Sequence, residues 1–201
     1  MRIAIFASGN GSNFEAIAKA VEEKRLSVQI ASVVYDKKDA YVQTRAKKYN
    51  IPAYYFNFST YQSKESYEQA ILEQLKRDKV DFIVLAGYMK FIGRVLLQAY
   101  PNKILNIHPS LLPQFPGKSG IADAFKAKVS QTGVSVHLVD EGIDTGPILK
   151  QMCVSIDKED TLESLTEKIH RIEHHLYPLV IQEYSEKLFK QLTNKADDNL
   201  Q

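Results

Sequence analysis

The stretch NKILNIHPSLLPQFPG, residues 102–117, carries a run of branched apolar residues up to Asn106 and His108 and sets Pro109, Pro113 and Pro116 directly beyond them. A short apolar run predicts a strand, and proline, which lacks an N–H and fixes φ, keeps a helix from starting at once. A period of two puts Asn106 and His108 on one side of that strand with Ile107 opposite, so the two side chains converge on one small volume. The carboxamide offers neutral hydrogen bonds, whereas the imidazole donates, accepts or carries charge. Together they suit an oxyanion-stabilising pair with acid/base capacity. The plainer alternative is a hydrogen-bonded structural histidine at a strand end. The prolines restrict the loop before any ligand arrives, which lowers the cost of pre-organising a site.

Outward from this strand, β and α signals alternate. MRIAIFASG opens with an apolar run, and Phe14, Ile17, Ala18 and Val21 follow at helical spacing. VQIASVVY leads through DKKDA to the helix-like YVQTRAKKYN, IPAYYFNF is short and aromatic, and Tyr67, Ile71, Leu72 and Leu75 mark another helix face. VDFIVLAG is apolar on both faces, as a strand covered by helices on each side must be. This order predicts an α/β fold with a doubly wound, mostly parallel sheet, whose ligands sit at the carboxyl ends of strands near a topological switch point. Downstream of residue 117, a short helix near IADAFKAK precedes TGVSVHLV, the turn DEGIDTG and the strand PILKQMCVSI, an antiparallel addition in the C-terminal half. A final helix is expected to open on an Asp160–Glu163 capping box and to bury a stripe of Leu162, Leu165, Ile169, Ile172 and Leu176. One domain over 1–187 is expected, with a polar, fraying tail over 188–201.

A chain of 201 residues can bury one sizeable core. With 26 Lys and Arg against 24 Asp and Glu, the net charge of +2 gives no electrostatic case for a nucleic-acid or membrane partner. No apolar run approaches the roughly 18 residues of a membrane span. The first strand begins without a signal-peptide pattern, and the lone Cys153 agrees with a reducing compartment, so a cytoplasmic location is expected.

Three further segments carry chemistry. In FASGNGSNFEAI, residues 6–17, two glycines follow a strand and Ser12-x-x-Glu15 opens a helix, leaving unpaired N–H groups and a positive dipole end that suit an anion, phosphate above all. The plainer alternative is a glycine turn with a capping box. A dinucleotide fingerprint wants Gly or Ala where Phe14 stands, and the P-loop Lys is missing. Asp36 lies where an acidic ribose ligand would, yet a phosphomonoester fits better, because Ser12 and Asn13 add side-chain donors. In DEGIDTGP, residues 140–147, Asp140, Glu141 and Asp144 crowd a glycine-bearing turn, with a turn-forming role the plainer one for Asp140. A carboxylate that meets His108 favours the imidazolium. These acids and His137 lack HxxxH or HxH ligand spacing, so no metal is expected. In HRIEHHLYP, residues 170–178, Glu173 falls at the margin of the apolar stripe where it can border a cleft. His170 lies farther round, and His174 and His175 are expected on a solvated face.

These segments, in this order, resemble the folate-dependent phosphoribosylglycinamide formyltransferase family over residues 1 to about 186. NIHPSLLP with the later D-x-G-P is similar to the wider group of 10-formyltetrahydrofolate-dependent formyltransferases and hydrolases, and SGNGSN narrows the resemblance. The resemblance implies a Rossmann-like formyltransferase fold and direct formyl transfer from 10-formyltetrahydrofolate, as co-substrate, to the glycinamide amine, without metal or covalent intermediate. It implies Asn106, His108 and Asp144 as the catalytic trio and Gly11, Ser12 and Asn13 as the phosphate loop. Glu173 and His170 match the glycinamide end. Lys64, Met89, Lys90, Phe91, Ile92 and the turn of Asp140, Glu141, Gly142, Ile143 and Asp144 match the folate pocket, which Asn106 also lines. Lys64 and Lys90 stand where some members carry Arg, with its bidentate grip on carboxylates. The His-containing loop that many members have after Gly117 is replaced by KSGIADA. Small-molecule substrates and a monomer or homodimer are expected. A methionyl-tRNA formyltransferase would add a carboxyl-terminal RNA-binding domain, and a formyltetrahydrofolate hydrolase an amino-terminal regulatory one. A non-catalytic nucleotide-binding domain would have no use for Asn106, His108 and Asp144 together.

Overall fold

The computed structural model describes residues 1–198, with side chains described through residue 194. Its strands are β1 (Arg2–Ala7), β2 (Gln29–Tyr35), β3 (Ala53–Tyr55), β4 (Phe82–Leu85), β5 (Ile104–His108), β6 (Gln131–Leu138) and β7 (Ile148–Ser155). The helices are α1 (Ser12–Glu22), α2 (Val42–Lys48), α3 (Lys64–Arg77), α4 (Arg94–Ala99), α5 (Gly120–Lys126) and α6 (Leu162–Asp198). The sheet runs β3-β2-β1-β4-β5-β6-β7. The first five strands pair in parallel, and β6 and β7 add antiparallel at one edge, as the alternation predicts. The chain leaves β1 toward β2 on one side and returns to β4 on the other, so the switch point lies between β1 and β4.

The period of two divides the core. Ile3, Ile5 and Ala7 of β1 pack with Phe14, Ile17 and Ala18 of α1 and with Leu165, Ile169, Leu176 and Tyr177 of α6. Ala4 and Phe6 face the other way, onto Tyr67, Ile71, Leu72 and Leu75 of α3 and Leu96 of α4. Both faces are therefore dry, which is why the parallel strands read as continuous apolar runs. Six residues show too little of a helical period to reveal α4 in sequence.

Both expected capping boxes differ from the observed caps. Gly11 is the N-cap of α1, with no side-chain cap, and Glu15 pairs instead with Arg45 and Lys48 of α2. At α6 the reciprocal pair lies one residue later. The Ser164 N–H donates to Thr161 Oγ1 at 3.2 Å and the Thr161 N–H to Ser164 Oγ at 3.0 Å, while Asp160 accepts from the Ser164 hydroxyl. Leu162 thus starts the helix on its outer side and is 39% exposed rather than part of the stripe. The division expected after residue 187 falls inside α6, because Leu188 still packs on the core. The last residues of the expected tail, 199–201, lie outside the described residues.

The Tyr177 hydroxyl anchors α6. Fully buried, it donates toward the carbonyls of Leu85 at 2.7 Å, at the carboxyl end of β4, and Leu105 at 3.2 Å, near the start of β5. One turn earlier on the same helix stands Glu173, which this anchor holds toward the carboxyl end of β4.

Candidate active site

A cleft of about 890 Å³ opens at the carboxyl ends of β1, β4 and β5, and every residue that the family resemblance marks for the site lines it. That volume suits a drug-sized ligand or larger. The β5 backbone aims Asn106 and His108 into it, and the turn after β6 brings Asp144 across. His108, 4% exposed, is held from two sides: Nε2–H donates to the Phe115 carbonyl at 2.8 Å, and Nδ1 lies 3.5 Å from Asp144 Oδ2. Asp144 also accepts from the Gly117 N–H at 2.8 Å. Desolvation pushes the Asp144 carboxyl up. The neighbouring His137, the Gly117 amide and the charge of His108 more than offset this, so it lies below its ordinary 3.8.

His137 has a larger part than the sequence assigned to it. β6 pairs with β5 in a register that sets His137 opposite Asn106, and its Nδ1–H donates to the Leu138 carbonyl at 2.8 Å. That bond leaves Nε2 as an acceptor for Asn106 Nδ2 at 3.2 Å. One carboxamide N–H is thereby spent on orientation and the other is left for a ligand. At 3.6 Å, Asp144 Oδ1 is a polar neighbour of His137, beyond hydrogen-bond reach. Alternation placed His137 on a strand, but only the antiparallel register names its partner.

The loop 109–117 is fixed by more than its prolines. Ser135 Oγ donates to the Ser110 carbonyl at 2.6 Å and accepts from the Leu112 N–H at 3.0 Å, and Gln151 Nε2 donates to the Leu112 carbonyl at 2.9 Å. These bonds hold Phe115 where it meets His108.

At the β1 end, Gly11 has φ +78, and a Cβ there would lie 2.7 Å from Val42 Cγ2, so α2 closes against the loop and only glycine fits. Without a side-chain cap, the first N–H groups of α1 remain available to an anion beside Ser12 and Asn13. Arg45 braces the loop through the carbonyl and side chain of Asn10. Glu173 closes this end. It is 6% exposed and accepts from Asn13 Nδ2 at 3.3 Å; burial, only partly offset by that bond, pushes its carboxyl up to about 7. His170 lines the cleft from an exposed position. His174 departs from the solvated face expected of it: it stacks one turn from His170 with its Nε2 sequestered. Burial first, then His170 and Arg45, lower its pKa. His175 is exposed.

At the opposite end, the exposed side chains of Met89, Phe91 and Ile143 give the cleft an apolar mouth, with Ile92 buried behind them. Exposed apolar groups gathered at a cleft mark a binding surface. Lys64 lines it too, whereas the Lys90 ammonium lies 3.5 Å from Asp36 and 4.9 Å from the Phe58 ring centroid. Asp36 is therefore a buried partner of Lys90 and not a cleft residue. Asp140 turns inward on its own loop, accepting from the Gly142 N–H and the Thr145 hydroxyl, while Glu141 and Gly142 line the cleft beside it. Arg94 and Tyr88 line the cleft as well, unmarked in sequence because α4 and the end of β4 carry no motif. Among the described residues no group of three His, Cys, Asp or Glu is placed to hold a metal, and no helix is long and apolar enough to cross a membrane.

Comparison with known proteins agrees with this geometry. A family model described as formyl transferase matches residues 1–181. The chain is 50% identical over 182 residues to the phosphoribosylglycinamide formyltransferase of Bacillus subtilis (strain 168), covering 90% of this chain and 93% of that one. It is 32% identical to the enzyme of the same name from Escherichia coli (strain K12), over 98% of this chain and 92% of the other. A crystal structure of phosphoribosylglycinamide formyltransferase from Bacillus halodurans superposes with a TM-score of 0.89 at 50% identity, covering 92% of this chain and 95% of that one. With a seven-stranded sheet of this order and a match spanning nearly its whole length, the chain belongs to the formyl transferase family.

Proposed function

We propose that this chain transfers the formyl group of 10-formyltetrahydrofolate to the amine of 5'-phosphoribosylglycinamide, giving formylglycinamide ribonucleotide and tetrahydrofolate in purine biosynthesis. The observation that carries the proposal is the convergence of Asn106, His108 and Asp144 between an anion-binding loop and an apolar mouth in one cleft. The relatives' names supply phosphoribosylglycinamide as acceptor and formyl as the group transferred, and the resemblance of NIHPSLLP and D-x-G-P supplies the folate donor.

The phosphate of the ribonucleotide sits at Gly11, Ser12 and Asn13, with Glu173 and His170 beside the rest of that molecule. The folate lies against Met89, Phe91, Ile92 and the 140–144 turn. Anchoring both substrates separately makes the encounter of amine and formyl carbon effectively unimolecular. As the amine attacks, the carbonyl electrons move to the formyl oxygen. The free N–H of Asn106 and, with His108 as the imidazolium, its Nδ1–H are already in place for that charge; one such donor is worth about 3 kcal/mol. Asp144, ionised at neutral pH, holds His108 in position. Collapse of the tetrahedral carbon breaks its bond to the folate nitrogen; that nitrogen gains one proton as the amine loses one, relayed through His108, Asp144 or water.

The same proposal places the chain in the cytoplasm as a monomer or homodimer acting on small molecules, and the net charge of +2 supports the absence of a nucleic-acid partner. The test is an absorbance assay for the folate product with both substrates and then without the ribonucleotide. Product formation only when both are present is expected. Equal formation without the ribonucleotide would mean that water is the acceptor and the chain is a hydrolase.

A further inference from the structure

The wall of the apolar mouth is the segment 88–93, between β4 and α4. Its Met89 and Phe91 side chains are exposed and line the cleft, so their positions depend on what holds the backbone. Near its start, the Met89 N–H donates to Ser8 Oγ at 2.8 Å. At its end, the Gly93 N–H donates to Glu68 Oε1 at 2.5 Å, and Leu96, in the first turn of α4, makes a longer contact with Oε2 at 3.5 Å.

Glu68 comes from α3, is 2% exposed and is absent from the cleft lining. Burying a carboxylate is costly unless donors meet it, and its hydrogen-bond donors among the described residues are these two backbone groups. Gly93 has no side-chain oxygen and so cannot cap α4 itself. Glu68 takes that place, where negative charge also complements the helix dipole. The approach is tight: a Cβ on Gly93 would lie 2.8 Å from Glu68 Oε1 and 2.8 Å from Lys64 Cε.

We propose that Glu68 is a positioning residue for the formyl donor: through the Gly93 and Leu96 amides its carboxylate sets the 89–93 wall against which the folate ring system packs. This rests on the folate assignment made above. A neutral carboxamide in its place offers one oxygen where the carboxylate offers two, so the Gly93 and Leu96 amides cannot both be met and the wall shifts, while the phosphate loop across the cleft keeps its own supports.

The test uses the full chain, with Glu68→Gln removing the charge and Ile71→Val on the same helix as a control for general destabilisation. Affinity for tetrahydrofolate is measured by calorimetry, and the Michaelis constant for the ribonucleotide by the transfer assay. Glu68→Gln is expected to weaken tetrahydrofolate binding about tenfold, the loss of a charge-assisted bond, and to leave the ribonucleotide constant within about twofold. Ile71→Val should move neither. Unchanged tetrahydrofolate affinity in Glu68→Gln, or parallel loss for both ligands, overturns the proposal. If Glu68→Gln does not fold, Gly93→Ala, which drives a Cβ against the carboxylate, is judged by the same outcomes. A wild-type chain that binds tetrahydrofolate but transfers no formyl group would defeat the proposed reaction and leave the binding comparison standing.

Discussion

Replacing Glu173 with glutamine should change how stability depends on pH, by an amount set by its burial. The carboxyl is moved from 4.5 to about 7, chiefly by desolvation, with the Asn13 amide as its hydrogen-bond donor. At about 1.4 kcal/mol per pH unit, ionising this group in place costs about 3 kcal/mol. Because the folded chain holds the proton more tightly than the unfolded one, the contribution is fully present below pH 4.5 and is lost as the pH rises through about 7. Integrating the linkage from pH 5.5 to pH 8 leaves about 2 kcal/mol to be observed. Urea unfolding of wild type and Glu173→Gln at those two pH values measures it: wild type should lose that much stability relative to the variant. The same displacement predicts proton release when the ribonucleotide binds near pH 7, since hydroxyl donors on the ligand would stabilise the carboxylate. Calorimetry in buffers of different ionisation enthalpy would detect it. A wild-type-minus-variant difference that stays flat within about 0.5 kcal/mol over this pH range would refute the assignment of Glu173 as a buried carboxyl awaiting a donor.

Asn106→Ala should lower kcat roughly 100-fold to 1,000-fold with folate affinity nearly unchanged, as for loss of an oxyanion donor; undiminished turnover in steady-state assays would remove Asn106 from that role. Gly11→Ala meets Val42 at 2.7 Å in a left-handed conformation, so the Michaelis constant for the ribonucleotide should rise selectively; an equal rise for the folate would argue against a phosphate loop. Tyr177→Phe removes a hydroxyl shared by two buried carbonyls and should cost about 1–3 kcal/mol in urea unfolding. A loss well under that range would show that those carbonyls are satisfied within the sheet.

Much of the fold and most of the residues that line the candidate cleft were legible because they follow from local chemistry. Period two puts Asn106 and His108 on one side of a strand whatever surrounds them, two glycines followed by Ser12 and Asn13 open a helix whose first N–H groups have no side-chain cap, and runs such as VDFIVLAG declare strands buried on both faces. Where local signals compete, sequence misleads by small amounts: Ser12-x-x-Glu15 has the capping-box spacing, yet Arg45 and Lys48 draw Glu15 away, and the α6 box forms one residue later because Ser164, not Glu163, reaches back to the Thr161 N–H. What the sequence by itself determined, then, is the order of βα units and the residues that a strand end or a helix start must present, since those depend on neighbours in the chain. The tertiary structure alone decided that Asp144 meets His108, that His137 spends its free nitrogen on Asn106, that His174 is sequestered, and that Glu68 reaches the α4 amides. Each depends on strand register or on the packing of elements far apart in sequence, and hydrogen bonds, effective only within about 3.5 Å, leave no periodicity behind to be read.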